Sequence, residues 1–170
     1  MKFRTLFAIV PAAMVLAGCN NPATPTAPPS PFPNLPTHAQ PKLPTLKIFL
    51  GPEMLDAELA LTEQQMQTGM MFRTNIADAD AMLFDLRLPQ RANFWMMNCP
   101  ESISAAYIDG DGVIQEIHHL EKNDTNGVVS ATENIRFVLE TSDGWFTRHH
   151  IEAGTVIRTE KGALRETFSK

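Results

Sequence analysis

The side chains best suited to chemistry crowd around Gln90–Asp109, which reads Q-R-A-N-F-W-M-M-N-C-P-E-S-I-S-A-A-Y-I-D. This stretch holds one of the two tryptophans, the only tyrosine, a cysteine and two adjacent methionines. Two apolar runs, Ala92–Met97 and Ile103–Ile108, flank a polar corner at Asn98–Ser102 that contains Pro100. Such a pattern predicts a buried β core interrupted by a loop. Arg73, Asn98 and the corner stand out because they break apolar context. Arg73 ends a hydrophobic run, so its guanidinium should pair with a buried carboxylate or reach a ligand, pairing being favoured. Phe94 and Trp95 are neighbours on a predicted strand and face opposite ways, so one could form a ligand platform. Arg73, Trp95 and Asn98 are the expected ligand-binding residues, gathered in one cleft.

Other chemistries are less well specified. From Thr45 onward there are four histidines and seven methionines, and thioether with imidazole suits copper. The spacing argues against a preformed site, since His118 and His119, or Met96 and Met97, would point to opposite faces of a strand. Methionine more often fills core gaps, and no metal or cofactor is expected. Cys99 as a nucleophile would need a base such as His118 or His119 within reach and an orienting carboxylate, and nothing in the spacing demands it. Asp85, Asp109 and Glu116 could serve glycoside hydrolysis if they shared a cleft, which the sequence does not specify.

The elements that must position these residues begin after Pro44. Lys2 and Arg4 precede an apolar run at Leu6–Leu16, too short to span a bilayer as a mature helix. The run ends in Leu16-Ala17-Gly18-Cys19, which resembles the lipobox of bacterial lipoproteins. A signal peptide over residues 1–18 and acylation of Cys19 are therefore expected, with acyl chains contributing about 0.8 kcal/mol per buried methylene to a membrane anchor. Asn20 rather than Asp after the cysteine favours outer-membrane over inner-membrane sorting. Residues 19–44 then read as the lipidated cysteine and a stalk. Nine of the 25 residues of Asn20–Pro44 are proline, giving an extended segment that could reach roughly 80 Å.

Residues 45–170 are predicted to form a single domain, large enough for a real core. It carries 11 Lys and Arg against 19 Asp and Glu, a net charge of −8. That balance repels phosphate backbones, so nucleic acid is not an expected partner. With Cys19 acylated, Cys99 has no intrachain disulfide partner.

Short strand patterns follow one another at Leu46–Leu50, Ala57–Leu61, Ala81–Leu86, Ile103–Ile108, Val113–His118, Ile135–Glu140 and Val156–Thr159. Thr62-Glu63-Gln64-Gln65 is a capping box opening a helix that stops at Gly69. Asp109-Gly110-Asp111-Gly112 reads as a hairpin turn rather than a calcium loop, because Leu120 stands where the bidentate glutamate belongs. Trp145–His150 is a turn or short helix, and residues 160–170 are expected to fray. Mainly β, an antiparallel sandwich or barrel with one or two short helices, is the predicted fold class.

Gly69-Met70-Met71-Phe72-Arg73, Met82-Leu83-Phe84, Phe94-Trp95-Met96-Met97-Asn98, Tyr107-Ile108-Asp109, Val138-Leu139-Glu140 and Gly144-Trp145-Phe146 occur in that order. Together they resemble the bacterial and archaeal family called domain of unknown function 192, over about Ile48–Arg158. The resemblance implies a mainly β, jelly-roll-like sandwich and supplies no reaction. This chain departs from the family pattern at Met97, where the family has lysine, at Cys99, where it has threonine, and around Ser102–Ala106. The expected function is that of a lipid-anchored, periplasm-facing binding or accessory module of the cell envelope, with an envelope protein or glycan as ligand. A hydrolase acting on envelope polysaccharide and a soft-metal (copper) binder are the alternatives, an enzyme being the less favoured reading.

Overall fold

A computed structural model describes residues 35–169. The expected signal segment, Cys19 and the linker up to residue 34 lie outside the described residues. Along the chain run β1 (Thr45–Leu50), β2 (Glu53–Ala60), α1 (Glu63–Thr68), β3 (Ala81–Gln90), β4 (Asn93–Phe94), β5 (Ile103–Asp109) and β6 (Ile114–Leu120). They are followed by β7 (Val128–Val129), β8 (Ile135–Ser142), α2 (Trp145–Arg148), β9 (Ile157–Thr159), β10 (Gly162–Ala163) and α3 (Leu164–Thr167). The mainly β expectation holds. Eight strands form one curled sheet in the order β10-β9-β1-β2-β3-β8-β5-β6, and β4 pairs with β7 as a separate ribbon.

Every neighbouring pair in the large sheet is antiparallel except β2–β3, whose parallel crossover contains α1. At one end the curl draws distant strands together. Ile114 donates its amide to Thr155 O, and Ile157 donates to Gly112 O, tying the β5–β6 turn to the approach of β9. Gly112 is required there: its φ is +87°, and an added Cβ would lie 2.8 Å from Ile157 O. Asp109 shapes the same turn by accepting from the amides of Asp111 and Val113.

Because side chains alternate along a strand, the central strands feed two separate cores. Leu83, Ala106, Ile108, Phe137 and Leu139 point to one face, closed by Trp145, Phe146, Ile157 and Leu164. Met82, Phe84, Ala105, Tyr107 and Val138 point to the other, covered by Met70, Met71, Met96 and Cys99. At about 1.5–3 kcal/mol for each large apolar side chain fully buried, β3, β5 and β8 dominate the stability of the domain.

The capping box forms as expected: Thr62 Oγ1 accepts from the Gln65 amide at 3.2 Å, and Gln65 Oε1 accepts from the Thr62 amide at 3.0 Å. Three local expectations differ. Only Asn93–Phe94 of the Ala92–Met97 run is strand, because the Met96 amide donates to Asp124 O and bends the chain away. The tail does not fray. It supplies β10 and a third short helix, α3, with Leu164 fully buried against the first face. Residues 35–44, read as the end of the stalk, lie along the domain, Leu35 and Leu43 packing on the second face.

Candidate functional site

Strand register places Glu58, Met82 and Glu140 opposite one another on three adjacent strands, β2, β3 and β8. Two acids thus share one row of the second face, separated by one intervening strand and so by about 10 Å. Both are almost wholly buried, and they are treated very differently.

Glu58 is satisfied. Arg73 reaches it from the turn after α1 in a two-pronged contact, Nη1 to Oε1 at 2.6 Å and Nη2 to Oε2 at 2.8 Å. Oε2 also accepts from the Leu43 amide. Burial on its own would raise this carboxyl, but the Arg73 and Leu43 hydrogen bonds and the nearby cation outweigh it and hold the carboxyl below its usual range. The pairing expected of Arg73 is therefore what occupies its guanidinium.

Glu140 has no such partner. Its Oε2 is buried without a hydrogen bond, and burial pushes its carboxyl up to about 8, Arg73 opposing this only in part. At neutral pH the group is mostly protonated. Gly69 sits beside it: a Cβ there would fall 3.8 Å from Glu140 Oε2 and 3.4 Å from the Phe84 ring, at a φ of +46°. The backbone angle favours glycine there, while the distances themselves are ordinary van der Waals contact.

Glu140 lines a pocket of about 300 Å³ between α1, the turn after it and the corner following β4. Met66, Met70 and Met71 line it together with Phe84, Phe94, Trp95 and Cys99, and Gln67, Thr68 and Asn93 add polar groups. Phe84 and Phe94 meet edge to face, their ring centroids 5.1 Å apart and their planes at 87°. Burial, and to a lesser degree Glu140, push the Cys99 thiol up to about 12. It is a neutral thiol rather than a ready nucleophile.

Of the three expected ligand residues, Trp95 alone lines this pocket. Arg73 borders a separate hollow with Gln40, Lys42 and Asp80. Asn98 serves the backbone. It adopts φ +59°, and its carbonyl accepts from the amide of Phe72, itself at φ +61°. Asparagine tolerates that region, whereas a bulky phenylalanine in it is strained. The two motif turns are thereby locked to each other beside the pocket.

The other candidates are scattered. Asp85 pairs with Arg136, Asp109 shapes its hairpin, and Glu116 contacts His118 and the Ala131 amide. His119 lies between Asp143 and Glu121 on the surface. Among the described residues no group of three or more His, Cys, Asp or Glu is placed to hold a metal ion. Sequence reasoning attached no role to Glu58 or Glu140. The available signal was phase: each shares a face with core residues of its own strand, Glu58 with Ala60 and Glu140 with Val138.

Comparison with protein families matches residues 47–159 to DUF192, described as Uncharacterized ACR. The chain belongs to this family. No curated protein matches it. Among solved structures it is similar to a protein from Sinorhizobium meliloti 1021 named, provisionally, as a transcription regulator. That likeness has a TM-score of 0.66 and 24% identity, covering 71% of this chain and 98% of the other. A protein of unknown function from Novosphingobium aromaticivorans DSM 12444 gives a TM-score of 0.65 at 26% identity, covering 68% of this chain and 86% of the other. The first shows the fold alone, and DUF192 is a family of unknown function. Of the positions that set this chain apart in the resemblance, Cys99 lines the pocket and Met97 packs on the same core.

Proposed function

We propose that this DUF192 domain is a binding module of the bacterial cell envelope, held to the membrane by acylated Cys19 and facing the periplasm. Its ligand site is the pocket lined by Trp95 and Glu140. One observation carries the reading: a carboxyl oxygen buried without a hydrogen bond stands at a pocket where three methionines and three aromatic rings join Gln67, Thr68 and Asn93. A polar group left in that state costs about 1–3 kcal/mol, a cost more readily understood if a bound group offsets it. The thiol of Cys99 and the separated carboxylates favour binding over hydrolysis.

Two measurements test this. Metabolic labelling with palmitate should tag the wild-type protein and leave Cys19→Ser unlabelled; equal labelling would remove the anchor. The full chain, purified in dodecyl maltoside, should show a thermal shift with a member of a panel of glycans, peptidoglycan fragments, peptides and small organic compounds. A ligand at 100 times its dissociation constant stabilises by about 2.7 kcal/mol. The shift should vanish in folded Trp95→Ala, and a shift that persists there would place the site elsewhere.

A further inference from the structure

Resting on that site assignment, we infer that the pocket takes an organic cation, an ammonium group on a short apolar stem, with Glu140 as its buried counter-charge. Three observations converge on this class. First, Glu140 is 4% exposed, and its Oε2 has no hydrogen-bond partner. Arg73, the cation whose charge acts on it, is already engaged by both oxygens of Glu58, which leaves one acid of the row without a counter-ion. Second, the walls suit a cation of low charge density. Phe84 and Phe94 stand at 87° to each other, and Trp95 and three methionines line the same pocket. Aromatic faces attract ammonium groups, and quaternary ammonium ligands are commonly held in cages of this type. Third, the surrounding charge has the matching sign, 11 basic against 19 acidic residues from Thr45 onward, which draws cations toward the site and repels anions.

Binding of this kind is coupled to a proton. The titratable groups acting on Glu140 are Arg73 from the turn after α1, Cys99 from the corner and Tyr107 from β5. Arg73 stays paired with Glu58, and burial keeps the thiol and the phenol neutral. Glu140 is therefore the group that changes charge: an arriving ammonium takes the place of the acid's proton, which leaves to solvent.

Choline is a suitable probe because its charge does not depend on pH, and 3,3-dimethyl-1-butanol is its uncharged isostere. Isothermal titration of the full chain in dodecyl maltoside should show choline binding more tightly than the alcohol at pH 9. Its affinity should fall about tenfold from pH 9 to pH 7, following the ionised fraction of the acid. One proton should be released per choline bound at pH 7. Glu140→Gln, which reproduces the uncharged form of the side chain, should bind the alcohol as wild type does at pH 7 and lose choline at pH 9. Equal affinities for the two probes, or choline binding that ignores pH and survives Glu140→Gln, would overturn the cation and leave the pocket as a site for neutral ligands. Binding of neither probe would overturn the cation class, while the panel and Trp95→Ala would still decide the pocket.

Discussion

One sheet, two faces and two kinds of core make up this domain. The face holding Phe137, Leu139, Trp145 and Leu164 is closed by segments late in the chain, and its contents are aliphatic and aromatic. The opposite face, holding Met82, Phe84, Tyr107 and Val138, is covered by motif turns rich in methionine. It buries Glu58 and Glu140 in one row and keeps a pocket of about 300 Å³. Both faces are built by the same strands, so propensity does not separate them. The difference lies in what covers each sheet face: packed hydrocarbon on one side, adaptable thioethers around polar groups on the other. A protein that kept only its packing optimum would not leave a carboxyl unpaired inside its second core, and that asymmetry is the strongest sign that this face is the working one.

The largest expected effect tests the asymmetry through pH. Glu140 rises from an ordinary 4.5 to about 8 on folding, so the folded state holds a proton that the unfolded chain gives up. Its contribution to stability is fully present below pH 4.5 and is lost as pH rises toward 8. The slope is about 1.4 kcal/mol per pH unit, or roughly 5 kcal/mol across the interval. Glu58 has the opposite sign, since its carboxyl is held low, and its contribution disappears only as pH falls below the usual carboxylate range. Urea denaturation between pH 5 and pH 8 should show wild-type stability declining and Glu140→Gln nearly flat. Parallel curves would mean that Glu140 is satisfied, and the two faces would then be alike.

Much of this fold was legible in the sequence, because alternation and turn chemistry are local. The Thr62–Gln65 box, the Asp109–Gly112 hairpin and the core strands β1, β3, β5, β6 and β8 all follow from residues within a few positions of one another. The site was legible only in outline. Arg73 was recognisable as a buried cation, but its partner Glu58 lies 15 residues away, brought to it by the parallel β2–β3 crossover. Glu140 looked like one more acid at the end of a strand until β8 was placed between β3 and β5, where neither face meets solvent. Asn98 stood out correctly, yet for its backbone angle. The Met96 bend and the return of the tail as β10 and α3 depend on Asp124 O and on the first face being open to Leu164, partners that periodicity cannot name.

A smaller effect sharpens the comparison through packing. Phe137 and Met71 are both almost fully buried, one on each face. Truncating Phe137 leaves a void among closely packed rings and aliphatic chains, Phe168 at 5.4 Å among them, and should cost about 3–5 kcal/mol. Met71 borders a space that is already open, so Met71→Ala enlarges a cavity instead of creating one and loses contacts on one side only. Its cost should lie near the lower end of the usual range, about 2 kcal/mol. Urea denaturation at pH 5, where Glu140 is protonated in both variants, isolates the packing difference. If Met71→Ala proved as costly as Phe137→Ala, the second face would be as tightly closed as the first, and the pocket would be too rigidly framed to admit a ligand without rearrangement of its walls.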